Sequence, residues 1–180
     1  MSAALGRCVP STWFQAHAWR IQSGMRVLDI ACGRGCHAIL AAQRGADVIG
    51  VDADGDALAA AEKAARKAGA QVEWRHLDPS HDALPDGPFD FVMTLGFLDR
   101  SRFPQFLTSV TPGGYFLAEM FLEAQRELGW GPTDQARLLK SGEVWTLFRP
   151  HELVVAREVL EILDGRSLAV AGALVRRPSQ

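Results

Sequence analysis

No run of apolar residues approaches the 18 or more that a membrane-spanning helix needs. Met1–Val9 also lacks the apolar stretch of a secretory signal. Neither a membrane protein nor an exported one is expected. There are three cysteines, Cys8, Cys32 and Cys36, an odd number in a chain of ordinary size. This excludes a disulfide scaffold and favours a reducing cytoplasm. Charge of one sign is also missing: 19 Lys and Arg stand against 21 Asp and Glu, for a net −2. The basic residues are scattered, so the stripe or patch of a nucleic-acid binder is absent. Cys32, Cys36 and His37 lie close together, but no second Cys/His pair at ligand spacing completes a tetrahedral set, so no metal is expected. What remains is an average globular composition over 180 residues, 48% hydrophobic and 22% charged. That describes one domain, 1–180, with a core of its own.

Strand and helix patterns alternate along the chain. Pro10-Ser11 opens an amphipathic segment with Ser11 as N-cap and Trp13, Phe14 and Trp19 as its apolar members, a helical cap over 1–23. Arg26–Ile30 reads as a short buried strand. His37–Arg44 is a helix stopped by Gly45. Val48–Val51 is a second strand, and a helix capped by Asp54 or Asp56 runs to Gly69. Val72–Leu77, Phe89–Leu95 and Tyr115–Phe121 are further strands, with a short helix over Ser101–Val110. Glu123–Lys140 has weak periodicity and reads as a long, partly helical loop, a candidate lid. Gly142–Phe148 has a helical turn or two. Such alternation builds a parallel sheet with helices on both faces. The last two strands, Leu153–Leu163 and Ser167–Val175, are joined only by Asp164-Gly165-Arg166. A parallel crossover needs a dozen residues or more, and Asp-Gly is a hairpin turn, so this pair is antiparallel. The expected fold is therefore α/β, doubly wound, with a mostly parallel seven-stranded sheet ending in an antiparallel hairpin.

The segment that carries chemistry is Val27-Leu28-Asp29-Ile30-Ala31-Cys32-Gly33-Arg34-Gly35. It leaves a strand and opens a helix, so it lies at the carboxyl ends of the strands, where doubly wound sheets bind ligands. The small side chains of Ala31, Gly33 and Gly35 let a ligand approach the backbone. Asp52 follows Gly35 by 17 residues at the tip of the second strand, placed to accept from both hydroxyls of a ribose. Gly33-x-Gly35-x-x-Ala38 also satisfies a dinucleotide fingerprint, which leaves a nicotinamide-dependent oxidoreductase open. Asp29 separates the two readings. A carboxylate there repels a pyrophosphate and attracts the amino group and sulfonium of S-adenosylmethionine.

On these residues the sequence resembles the class I S-adenosylmethionine-dependent methyltransferases. Residues 27–35 resemble the family's first motif, and Ile49-Gly50-Val51-Asp52 the second. Leu77-Asp78 resembles the adenine position, Phe89–Leu95 the fourth strand, and Thr111-Pro112-Gly113-Gly114 the turn before strand five. Pro10–Trp13, Gly33–His37 and Leu138–Glu143 are similar to small tellurite-resistance-like members. The resemblance implies S-adenosyl-L-methionine as cofactor. It implies contacts from Asp29, Ala31, Cys32, Gly33, Gly35, Asp52, Ala53, Leu77, Asp78, Thr94 and Leu95, with Trp13 covering the pocket. Ala31 departs from the Gly of many relatives, which matters only if the position needs a positive φ. Cys36 stands where this subgroup often carries Arg.

Methyl transfer needs alignment rather than a fixed triad. Glu119, at the end of strand five, is a candidate general base, or else a partner of Arg126 or Arg137. Phe97, Arg100 and Trp130 are candidate acceptor contacts. The expected activity is in-line transfer of a methyl group to a small-molecule acceptor in the cytoplasm, with no nucleic acid or membrane partner. A non-catalytic S-adenosylmethionine-binding module on the same fold is the other reading.

Overall fold

The computed structural model describes residues 9–179. The start of the expected 1–23 cap and Cys8 lie outside them. Seven strands form one sheet: β1 (Arg26–Ile30), β2 (Asp47–Asp52), β3 (Glu73–His76), β4 (Phe89–Leu95), β5 (Val110–Phe121), β6 (Glu152–Leu163) and β7 (Arg166–Arg176). Their order is β3-β2-β1-β4-β5-β7-β6. All pairs from β3 to β5 are parallel, and β7 is antiparallel to both neighbours. The order reverses between β1 and β4, which puts the ligand crevice above their carboxyl ends.

The hairpin forms as its short linker demands. Asp164 (φ 50°) and Gly165 (φ 76°) both take the left-handed conformation of a two-residue turn matched to strand twist. β5 is longer than its sequence pattern: it begins at Val110 and carries the Thr111–Gly114 turn sequence within it, with a register shift against β4. β3 is shorter, because Val72 and Leu77 fall outside the ladder.

Five helices flank the sheet: α1 (Thr12–His17), α2 (Cys36–Gln43), α3 (Gly55–Ala68), α4 (Phe103–Thr108) and α5 (Val144–Leu147). Local chemistry sets their ends. Ser11 Oγ accepts from Phe14 N at α1, Asp54 accepts from Asp56 N and Ala57 N at α3, and Gly69 ends α3 in the left-handed region. On one face Val27, Val48, Phe91, Met93 and Leu117 pack against Phe14, Ile21, Ala38 and Ala41. On the other, Leu28, Val51, Val92 and Phe116 meet α4 and α5. Trp19 is not an apolar member of the first layer. It lies past the end of α1, is 60% exposed, and is covered only by the Arg20 guanidinium.

Glu123–Lys140 is not an open loop. Glu123–Leu128 and Gln135–Arg137 are 3-10 turns, and Leu138 and Leu139 are buried. The buried Gln125 side chain ties the segment to β7, accepting from Ala169 N at 2.8 Å and donating to Trp130 O at 3.0 Å. No described helix is long and apolar enough to cross a membrane.

The α4 side of the core is aromatic: Phe103 and Phe148 have ring centroids 5.2 Å apart, and Phe116 lies 5.7 Å from Phe148. Phe116 is fully buried at mid-sheet. Phe116→Ala should cost about 3–5 kcal/mol in urea unfolding. A loss below about 1 kcal/mol would show that this layer repacks freely.

Candidate functional site

β1 is buried along its length after Arg26 and delivers the chain to the crevice at Ile30. The turn that follows is tight. Ala31 (φ 56°), Gly33 (φ 53°) and Gly35 (φ 76°) all have positive φ, so the position at which relatives carry Gly does require the left-handed region here. Ala31 adopts it at a cost in Cβ–carbonyl crowding of roughly 1–2 kcal/mol.

The two carboxylates are fixed by backbone N–H groups. Asp52 accepts from Gly33 N at 2.7 Å and from Asp54 N at 2.8 Å. The tip of β2 thus holds both the loop after β1 and the start of α3. Each carboxylate oxygen keeps a lone pair for a further donor. Asp29 is buried and accepts from Ala38 N in the first turn of α2 at 3.1 Å. Its carboxyl group is pushed up to about 8, first by burial and further by the Asp52 charge, with the Ala38 bond opposing.

The loop residues divide by role. A side chain at Gly33 would meet nothing within 4 Å, so this backbone faces open space. Gly35 is different: a Cβ there would lie 2.4 Å from Trp74 and 3.0 Å from Ala61 Cβ. Its smallness serves packing of the helix layer rather than ligand approach. Cys32 turns inward too. A Cβ on Gly50 would lie 3.2 Å from its Sγ, and burial pushes its thiol up. Cys32 is a free thiol.

Asp78 sits in the turn after β3, accepting from Ser80 N at 2.8 Å, a bond that holds its carboxyl below the usual range. Ala53 O is bonded by His76 Nε2 at 2.9 Å. Thr94 is fully buried at the end of β4, and its hydroxyl has no partner among the described residues. Leu95 and Gly96 follow it and line a cavity of about 140 Å³ with Val9, Ser11, His37, Glu119, Phe121, Leu168 and Val170 among others. His37 Nε2 accepts from Ser11 N at 3.1 Å. Burial pushes the imidazole down to about 4, so it is neutral.

Glu119 pairs with neither Arg126 nor Arg137. Arg157 of β6 donates to its Oε2 at 2.9 Å. Both residues are in register with Gly172 of β7. With no side chain at Gly172, the guanidinium spans the intervening strand. Arg157 also donates to Glu161, whose carboxylate accepts from Thr12 Oγ1 at 2.8 and 2.7 Å. Burial raises the Glu119 carboxyl, and Arg157 opposes the rise. Trp13 packs onto the same gap. A Cβ on Gly172 would lie 2.7 Å from its ring, and Arg157 stands 5.0 Å above the indole. Trp13 is therefore seated in the β7 core.

The candidate acceptor contacts are mostly tied down. Arg100 forms a two-pronged pair with Glu143 and donates to Ala136 O at 3.1 Å and Leu138 O at 3.0 Å. Phe97 leans on Phe106 at 6.2 Å. Trp130 Nε1 donates to Ser167 O at 3.0 Å, and the ring meets Phe121 at 6.1 Å. The Ser11–His37 and Glu119–Arg157 links escaped sequence reading, because the register of a hairpin far along the chain decides the second. Three residues had signalled this in the sequence: a buried-strand Glu, a strand Gly and a strand Arg.

Comparison with known proteins gives the same answer as this geometry. Residues 27–114 match a family model described as a methyltransferase domain. The chain belongs to the class I S-adenosylmethionine-dependent methyltransferases. The family's cofactor is S-adenosylmethionine. The chain is 32% identical over 155 residues to a ribosomal protein L11 methyltransferase of Thermus thermophilus, covering 84% of this chain and 56% of the relative. It is 33% identical over 99 residues to a ubiquinone biosynthesis O-methyltransferase of Dinoroseobacter shibae, covering 52% and 40%. The chain thus spans about half the length of the curated relatives it matches. The crystal structure of TehB from Haemophilus influenzae superposes with a TM-score of 0.71 at 21% identity, covering 90% of this chain and 60% of that one, a likeness of fold.

The residues fit this cofactor. The turn opens at Gly33, two acids flank it, and the buried Thr94 hydroxyl, in register with Ile30 at the end of β1, has no partner among the described residues. Two measurements test this site without any ligand. Ala31→Gly should raise stability by about 1 kcal/mol, by relieving the left-handed alanine; a loss would show that Ala31 is unstrained. Between pH 4 and pH 8 the folded protein holds the Asp29 proton that the unfolded chain has lost. Stability should therefore fall as pH rises across that window, and Asp29→Asn should flatten that part of the urea-midpoint profile. An identical slope in the variant would show that Asp29 is ionised throughout.

Proposed function

We propose that this chain transfers a methyl group from S-adenosylmethionine to a small-molecule acceptor by in-line displacement. The observation that carries the reading is the pair of carboxylates, Asp29 and Asp52, beside an open glycine turn at the ends of β1 and β2. An acid at the end of β1 suits a cationic amino acid, whose positive charge favours the ionised carboxylate over its protonated form. The oxidoreductase alternative lacks a catalytic group: Tyr115 lies early in β5, its ring under the Arg20 guanidinium at 4.7 Å.

Asp52 would take the ribose hydroxyls, and Asp29 the amino group, with the backbone of Ala31 to Gly33 along the methionine chain. Leu77 and Asp78 would bracket the adenine, while Thr94 and Leu95 would line the path toward the acceptor. The bound cofactor supplies an activated methyl on a positive sulfur, already a good leaving group. The protein's part is alignment and exclusion of water, worth about 7–11 kcal/mol when geometry is right. Glu119 faces the cavity beside Leu95 and Gly96. Its carboxylate would take a proton from an oxygen or nitrogen acceptor, while a sulfur, selenium or tellurium acceptor would need little help from a base. The small volume of this cavity, about 140 Å³, favours a small molecule over the protein named in the L11 relatives.

Asp52→Ala removes charge-assisted hydrogen bonds worth about 1.5–3 kcal/mol. Calorimetric titration with S-adenosylhomocysteine should show affinity lower by about one to two decades, with the fold kept. Undiminished affinity would reject the ribose placement.

A further inference from the structure

The cavity beside Glu119 has a size and a charge state that restrict its occupant. Its volume is about 140 Å³. An apolar protein cavity of about 150 Å³ accommodates one benzene molecule. Most of its walls are hydrocarbon: Val9, Leu95, Phe121, Leu168 and Val170. Three polar side chains reach it, and each is already committed. Ser11 Oγ accepts from Phe14 N. His37 carries no proton on Nε2, since that atom accepts from Ser11 N. Glu119 pairs with Arg157, which it shares with Glu161. Among the described residues no Lys or Arg lines the cavity, so an oxyanion would meet no opposite charge on these walls, and burying it there would cost several kcal/mol.

We propose that this cavity is the acceptor pocket, and that it admits an uncharged, mostly apolar group no larger than a single aromatic ring, with Leu168 and Val170 of β7 setting the limit. The inference rests on the methyl-transfer reading above and adds the acceptor's class to it. The two size-setting side chains belong to the terminal hairpin. β7 inserts beside β5, so Val170 pairs with Phe121 and Leu168 follows two residues before on the same face. The strand that runs against the others thus closes the floor of the pocket.

The test uses fluorobenzene as a binding probe and benzenethiol as a methyl acceptor, kept at a pH where it is the uncharged thiol and passes its proton to Glu119 on methylation, with the full chain loaded with S-adenosylhomocysteine or S-adenosylmethionine respectively. Fluorine NMR should show fluorobenzene bound by the wild type and 1-fluoronaphthalene not bound. Fluorobenzene should compete with benzenethiol for methylation, and selenite should not. Val170→Phe should lose fluorobenzene binding and at least about tenfold of kcat/KM for benzenethiol, with S-adenosylhomocysteine affinity unchanged within about twofold. Leu168→Ala, which enlarges the cavity rather than filling it, should gain 1-fluoronaphthalene binding and keeps the test informative if Val170→Phe misfolds. Failure of the wild type to bind fluorobenzene or to methylate benzenethiol would overturn the proposal. So would competition by selenite, or a size preference that neither variant moves. Failure of the wild type to bind S-adenosylhomocysteine would instead overturn the methyl-transfer reading beneath it.

Discussion

Asp52 accepts from the backbone of two different loops, through Gly33 N and Asp54 N, and the geometry of the crevice follows from that junction. The carboxylate at the tip of β2 pins the glycine turn leaving β1. That turn can then present backbone rather than side chain to the space above the sheet. A charged acceptor bound by two backbone N–H groups is held more rigidly than a neutral one. Asp29 works from the other side, buried at the start of α2, in a setting that favours its protonated form until a cation arrives.

The second organising device is a missing side chain. Gly172 lies between Glu119 and Arg157 in the ladder and beneath Trp13. That single gap admits an ion pair across a strand and seats the indole of α1. Arg157 and Glu161 then hold Thr12, so the first helix is fastened to the last hairpin. Ser11, next to Thr12, reaches His37 at the start of α2. The cavity beside Glu119 is bounded by Val9 and Ser11 before β1 and by Leu168 and Val170 of β7, joined by polar contacts whose partners are far apart in sequence.

Much of this was legible in the residues, for identifiable reasons. β1, β4 and the Asp164-Gly165 turn carry local signals, a buried run and a left-handed dipeptide, that tertiary context does not override. The acid pair and the glycine turn are also local, and they fall where the alternating pattern places them. Three features were not legible. Trp19 looked apolar and periodic, but α1 ends at His17, and the ring turns outward. The 123–140 segment showed no period because its order comes from single anchors, Gln125, Leu138 and Leu139, rather than from a repeating face. Gly35 read as a ligand-facing glycine, although its constraint is the Trp74 ring, a contact set by β3 packing.

The most direct test is a crystal structure of the protein grown with S-adenosylhomocysteine. The account predicts both ribose hydroxyls on the Asp52 carboxylate, the amino group beside Asp29, and the sulfur directed toward Leu95 and the cavity behind Glu119. Adenosine density elsewhere, or a crevice that takes a dinucleotide diphosphate at the Gly33 turn instead, would contradict it.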